Sequence, residues 1–307
     1  MAGPPPSDRV ALAAFLGVSI LAGGNGVAIR VGLRELDPLW SAALRFLVAS
    51  IALVVVMRVL RMRWPRGPEL RAAIAFGALG LGATFALANY SLRTAHAGLG
   101  QTVLALVPLA TLVLAVVVRQ ERLTAASLLG ALVAAAGVAV VSWQGAPEPL
   151  PVLTVLAMLG AVLCMASAAV LVRRYPPVHP VAMNAVAVPV AAALLLAGAV
   201  VARESLVLPR SGDTWLAIAY LAFVGSVVVF TLQLVVLAHW SASRANFVFV
   251  VIPLVAIPLS ALIDDEHVGS GLVLGAVLVV VGVYLGALRG RWHPSVHRTG
   301  RPPPDGP

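Results

Sequence analysis

A few polar side chains stand deep inside otherwise apolar stretches of this 307-residue chain, and they are the residues that could do chemistry. Arg45 lies seven residues past Pro38, about 10 Å along a helix at about 1.5 Å per residue. A guanidinium at that depth is a permanent cation whose planar donors match a carboxylate or phosphate. It could instead snorkel outward or pair with Glu35 or Asp37. Asn25 stands amid Gly23, Gly24 and Gly26. These glycines could unwind a helix and free carbonyls for a ligand, or simply let helices approach closely. Asn89 and Tyr90 face a short turn away from Gln101 and Thr102, while Thr231, Gln233 and Asn246 recur in the second half. Amides and hydroxyls at such depth either bind a small molecule or hydrogen-bond across helices. These nine positions are the candidate binding residues; Asn184 reads better as a packing contact.

Two prolines, Pro108 and Pro253, fall in the middle of apolar runs. Each removes a helical hydrogen bond and invites a bend, either a hinge or a static kink. Signatures of catalysis are missing: there is no G-x-S-x-G, no H-E-x-x-H, no paired carboxylate inside a run and no G-x-x-x-x-G-K-[ST] phosphate loop. No catalytic residue, metal site or cofactor is therefore expected. His96, His179 and His239 read as interfacial, and His293 and His297 as part of a solvated tail. Cys164, the single cysteine, reads as a small buried hydrophobe.

The elements that must carry these side chains are ten apolar runs, roughly 10–29, 38–57, 72–92, 96–118, 123–143, 150–172, 178–202, 214–237, 241–263 and 268–288. About 20 apolar residues cross about 30 Å of hydrocarbon, and lipid leaves backbone groups no partner outside a helix. Composition agrees: 61% of residues are hydrophobic, 11% charged, and the mean hydropathy is +1.00. The fold class expected is all-α integral membrane, with a tail at 1–9 inside the cell and another at 289–307. The net charge of +9 is scattered over short loops without a basic stripe, which excludes a nucleic-acid partner.

The basic residues are all arginine. With the N-terminus inside, fifteen Arg fall on the cytoplasmic side, five (Arg30, Arg34, Arg93, Arg203 and Arg210) on the other, and Arg45 lies within a run. That asymmetry predicts both termini in the cytoplasm and an even helix count. Six tryptophans, among them Trp40, Trp64, Trp215 and Trp240, sit near run ends, as an interfacial aromatic belt would have them.

A displacement of 145 residues superposes the two halves: Gly80 on Gly225, Phe85 on Phe230, Pro108 on Pro253, Glu121 on Glu266, Gly130 on Gly275 and Gly137 on Gly282. Nearer the start the displacement is 142–143, with Arg30 on Arg173 and Pro38 on Pro180. Each copy, 10–143 and 150–288, holds five runs. An odd number forces the second copy to enter the membrane upside down, the inverted-repeat plan of many carriers, with a binding site at the repeat interface. Glu121 and Glu266 precede the fifth and tenth runs and read as helix N-terminal anions.

In the order and spacing of 24–30 (Gly-Asn-Gly-Val-Ala-Ile-Arg), Pro38-Leu39-Trp40, Leu44-Arg45-Phe46, Ala97-Gly98-Leu99, Pro108, Glu121, Ser241-Ala242-Ser243-Arg244-Ala245, Pro253 and Glu266, the chain resembles the ten-helix drug/metabolite transporter superfamily with paired EamA domains. The resemblance covers about residues 10–288. It implies ten transmembrane helices in two inverted five-helix repeats around a central cavity. It also implies a secondary transporter of a small metabolite, usually an exporter. One departure is Asp264–Asp265 where the first copy has Arg119–Gln120, as opposite membrane sides would dictate.

With no carboxylate inside any run, the expected substrate is amino-acid-like, anionic or neutral rather than a cationic drug. The partners expected are the plasma-membrane bilayer and that small molecule; a homodimer is compatible with the same fold. The competing classes are a membrane-embedded enzyme or a non-transporting scaffold.

Overall fold

The computed structural model describes residues 6–91, 104, 106–142, 151–252, 254–255 and 271–288. Six helices are long and apolar enough to cross a membrane: α1 (Asp8–Gly32), α2 (Pro38–Val59), α3 (Pro68–Ser91), α6 (Val152–Val172), α7 (Pro180–Val201) and α8 (Gly212–His239). Four shorter apolar helices complete the described chain: α4 (Val107–Val117), α5 (Ala125–Ser142), α9 (Ala242–Ile252) and α10 (Gly271–Val283). Gln101, Thr102, Pro253, His96, Trp143, Glu266 and the C-terminal tail lie outside the described residues.

Helix starts follow local chemistry. Pro38 and Pro180 open α2 and α7, where the missing N–H has no intrahelical acceptor to lose. Ser211 caps α8 by accepting from the Thr214 N–H at 3.2 Å. Helix ends are less ordinary. Arg61, Arg119 and Arg203 take positive φ values of 49°, 59° and 55°. At the ends of α2, α4 and α7 the paired bonds Met62 N–H to Met57 O, Gln120 N–H to Ala115 O and Glu204 N–H to Ala199 O close the last turn. Glycine normally occupies this left-handed closing position. An arginine there sets a cation at the negative end of the helix.

The lipid-facing stripes are plain on α2, where Ile51, Val55 and Val59, each one turn apart, are exposed. The packing order is reciprocal. Helix α1 packs on the second half of α8, and α6 packs on α3. Helix α7 packs on α3, and α2 packs on α8. Exchanging each helix with the one five places away turns every one of these pairs into another on the same list.

Three further pairs, α2 with α7, α4 with α9 and α5 with α10, map onto themselves, and α4 also packs on α6. Between α5 and α10 the contact is backbone to backbone: a Cβ on Gly137 would lie 2.8 Å from the Gly275 carbonyl, and one on Gly130 would lie 2.7 Å from the Gly282 carbonyl. Position rises along one helix as it falls along the other, so the two run antiparallel. Small residues allow that approach.

Two tryptophans depart from the expected belt. Trp40 and Trp240 sit at helix ends but turn inward, 8% and 2% exposed. Trp40 donates its indole N–H to the Val207 carbonyl at 2.6 Å, and Trp240 stacks at 5.4 Å from Phe15. A loop packed over the sheath supplies a partner that headgroups would otherwise provide.

Candidate functional site

Helices α1, α2, α3, α6, α8 and α9 enclose a cavity of about 280 Å³. Its walls are mostly apolar, with Phe76, Phe85, Met158, Met165, Phe230 and Phe249 among them. Its polar lining is short: Asn25, Arg45, Asn89, Ser91, Gln233 and Asn246. Five of the nine residues expected from sequence thus meet at one cavity. Tyr90 and Thr231 do not line it, and Gln101 and Thr102 are outside the described residues.

Arg45 is the only charged side chain among the described lining residues, and it is 2% exposed. Its guanidinium carbon stands 4.6 Å from the Phe85 ring centre and 4.9 Å from that of Phe46. Cation–π attraction of about 1–2 kcal/mol each holds it there. Phe46, Phe85 and Phe230 form one aromatic group, with centres 5.3, 5.6 and 6.0 Å apart. The Arg45 Nε has no hydrogen-bond partner among the described residues.

The two carboxylates weighed as its partners are engaged elsewhere. Glu35 accepts from the N–H of Arg210 at 2.7 Å and of Ser211 at 3.3 Å, and Asp37 accepts from the N–H of Ser205 at 2.8 Å. Snorkelling is likewise excluded by the burial of Arg45.

Asn25 marks a break in α1. The helix is interrupted at Gly24, and Tyr220 of α8 donates its hydroxyl to the Leu21 carbonyl at 2.9 Å. The break frees a carbonyl, and a side chain takes it. The Asn25 Oδ1 is buried without a partner and faces Gly225, whose missing Cβ would lie 2.5 Å away.

Across the cavity Gln233 donates weakly to Asn246 Oδ1 at 3.4 Å, leaving its own Oε1 buried and unpartnered. Asn246 donates to the Thr111 hydroxyl at 2.8 Å, joining α9 to α4. Asn89 donates to the Phe85 carbonyl at 2.7 Å. Thr231 bonds the Val227 carbonyl at 2.6 Å and receives Asn184 at 3.4 Å, which ties α8 to α7 away from the cavity.

Sequence reasoning missed the aromatic wall, although the Phe85–Phe230 repeat match and the adjacency of Phe46 to Arg45 pointed to it. It also missed wide helical turns at 76–83 in α3 and 223–228 in α8, where hydrogen bonds skip five residues. In each a hydroxyl bonds a carbonyl five residues back: Thr84 to Leu79 and Ser226 to Leu221, both at 2.8 Å. Such turns recur at functional sites. The cavity-facing Phe85, Asn89, Phe230 and Gln233 all follow them in sequence.

Pro108 lies in the first turn of α4, where the helix has no bond for it to remove. Glu121 also works differently from expectation. It caps α9, 122 residues on, by accepting from the Ser243 N–H at 3.1 Å and from its hydroxyl.

At one end of the bundle the loops 33–37 and 202–211 are sewn together. Besides Glu35 and Asp37, Glu204 accepts from the Trp40 N–H at 2.7 Å. Bonds from Ser211, by its side chain foremost, and from the Arg210 N–H lower the Glu35 pKa from its ordinary 4.5 to about 2. At the other end, loops 60–67 and 173–179 flank a cleft lined by Arg63, Glu69 and His179. There Arg63 and Glu69 pair at 2.9 Å on the surface.

Comparison with known proteins bears on this arrangement. The profile of the EamA-like transporter family matches residues 9–143 and 152–287. A probable amino-acid metabolite efflux pump of Escherichia coli is 27% identical over 292 residues, covering 91% of this chain and 95% of its own. A probable terminal-alkyne amino-acid exporter of Streptantibioticus cattleyicolor is 35% identical over 118 residues, covering 38% and 40%. A solved crystal structure shares the fold, with a TM-score of 0.75 at 19% identity over 91% of this chain and 96% of that one. A twofold profile match spanning both halves, joined to a helical bundle around one lined cavity, makes this chain a member of the EamA-like transporter family.

Proposed function

We propose that this multi-pass membrane transporter is a secondary carrier of a small amino-acid-like metabolite, exporting it across the plasma membrane by alternating access. The observation that carries the substrate class is the unmet polarity of the cavity. Among the described residues Arg45 Nε is a donor without an acceptor, while Asn25 Oδ1 and Gln233 Oε1 are acceptors without a donor. A zwitterion supplies both: its carboxylate meets the guanidinium and its ammonium meets the amide oxygens. The apolar and aromatic walls accept an apolar side chain. The relatives named for amino-acid export support the same substrate class and direction.

In this reading ten helices cross the membrane as two inverted repeats with both termini in the cytoplasm. The antiparallel α5–α10 seam and the exchange of packing pairs support inversion. The repeats rock about the cavity, with Pro253 as a hinge and the sewn loop pair as one gate.

Flux of radiolabelled amino acids into proteoliposomes tests the reading. Saturable uptake by the wild type, lost in Arg45→Ala at equal insertion and melting point, is the expected result. Uptake that never saturates, or that Arg45→Ala leaves untouched, refutes it.

A further inference from the structure

We propose that Arg45 is also a binding site for a compact, weakly hydrated monovalent anion such as chloride, which the substrate carboxylate displaces. The inference goes beyond the transport reading, because it concerns the part of the cycle in which no substrate is bound.

Guanidinium does not give up its proton in a protein, so Arg45 stays cationic throughout the cycle. It is 2% exposed, on a helix that crosses the membrane, and no carboxylate pairs with it among the described residues. Glu35, Asp37 and Glu204 are committed to main-chain N–H groups of the sewn loops, and Glu121 to Ser243. The rings of Phe46 and Phe85 attract the cation, yet cation–π contact returns only a fraction of what a buried ion loses on leaving water. Rings engage the π system of the guanidinium and do not bond its in-plane N–H groups, and Nε has no hydrogen-bond partner among the described residues.

The chemistry of the walls selects the anion. One positive charge is neutralised by one negative charge, so a divalent phosphate or sulfate would leave an excess buried. A cavity lined by Phe85, Met158, Met165 and Phe230 penalises strongly hydrated ions. The unpartnered oxygens Asn25 Oδ1 and Gln233 Oε1 repel an anion and so confine it to the guanidinium. Those same oxygens attract the ammonium of a zwitterion, which gives the substrate a contact that chloride lacks. The two ligands therefore compete for Arg45. In consequence the carrier needs either substrate or a monovalent anion to reorient, because the cavity would otherwise close around a bare cation among apolar walls.

The experiment uses the purified full chain in lipid nanodiscs, with chloride as the probe. The melting point of the wild type is expected to rise by several degrees with chloride and to saturate, as for a ligand that binds the folded state only. Arg45→Lys, which keeps a cation, retains a smaller saturating rise, and Arg45→Met loses it. An equal rise in Arg45→Met, or a rise that never saturates, shows a general salt effect and overturns the proposal.

Should Arg45→Met fail to fold, bromide-soaked crystals of the wild type decide. Anomalous density at the guanidinium supports the site, and density only elsewhere overturns it. Because no flux is measured, failure here leaves the amino-acid reading standing, and failed flux leaves the anion result standing.

Discussion

The two EamA repeats share a scaffold and divide the chemistry unequally. Gly80 and Gly225 occupy matching wide turns, and Phe85 and Phe230 reach the same aromatic group. Two of the polar residues have no polar counterpart. Displaced by 143, Asn25 falls on Ala168; displaced by 142, Arg45 falls on Ala187. The glycine contacts make the difference visible: Gly225 faces the Asn25 amide, whereas a Cβ on Gly80 would lie 2.9 Å from the Ala168 methyl. The same socket is polar on one side and apolar on the other. Repetition supplies the cavity, and polar residues placed differently in the two copies supply its recognition.

The largest effect expected from breaking this asymmetry is at Arg45. Arg45→Ala removes the only charged donor of the described lining, and losing a charged hydrogen-bonded partner costs about 2–5 kcal/mol, so transport efficiency should fall at least about 30-fold. Adding Ala187→Arg to that variant should not restore flux. Recovery in the double variant would mean that the copies are interchangeable after all.

Next comes Asn25→Ala, which makes the first repeat resemble the second. It should raise the apparent KM about tenfold, consistent with a loss of about 1–1.5 kcal/mol from one hydrogen bond, and leave the melting point nearly unchanged.

Paired glycine variants sharpen the contrast. Gly225→Ala should raise KM by pushing the Asn25 amide, because its Cβ would stand 2.5 Å from Oδ1. Gly80→Ala should cost about 1–3 kcal/mol of stability by crowding Ala168 and Phe76, with KM unchanged. Equal KM effects in the two would remove the distinction.

The smallest effect concerns pH at the sewn loops. Glu35 titrates at about 2 in the folded chain against an ordinary 4.5. A lowered carboxylate pKa contributes stability above about pH 4.5, and that contribution fades as pH falls toward about 2. Melting curves between about pH 5 and 8 should therefore be alike for the wild type and Glu35→Gln in their pH slope, with a difference emerging only in acid.

Span positions were legible because crossing lipid imposes a length and an apolar composition that any window of sequence reports. Convergence of Arg45, Asn25, Asn89, Gln233 and Asn246 on one cavity was legible from the same rule, since polarity at depth has few other uses. Partner identity was not. Glu121 looked like an anion for its own helix and caps α9 instead, because the contact spans 122 residues and no local pattern encodes it. Thr231 had the right depth but the wrong face, and its hydroxyl accepts from Asn184 of α7. The inward turn of Trp40 depended on the loop that brings the Val207 carbonyl. Wide turns in α3 and α8 had glycines as their one signal, and glycine in a membrane helix has several causes.

The sewn loops have an implication for how this family can drift. At positions 205 and 210 Asp37 and Glu35 hold amide hydrogens of the main chain, while at 211 Glu35 takes the serine hydroxyl as well. Every amino acid except proline offers that hydrogen. The opposing loop is thus free to exchange its residue at 205 or 210 for almost anything while the stitch survives, whereas a single proline at either place would unpick it.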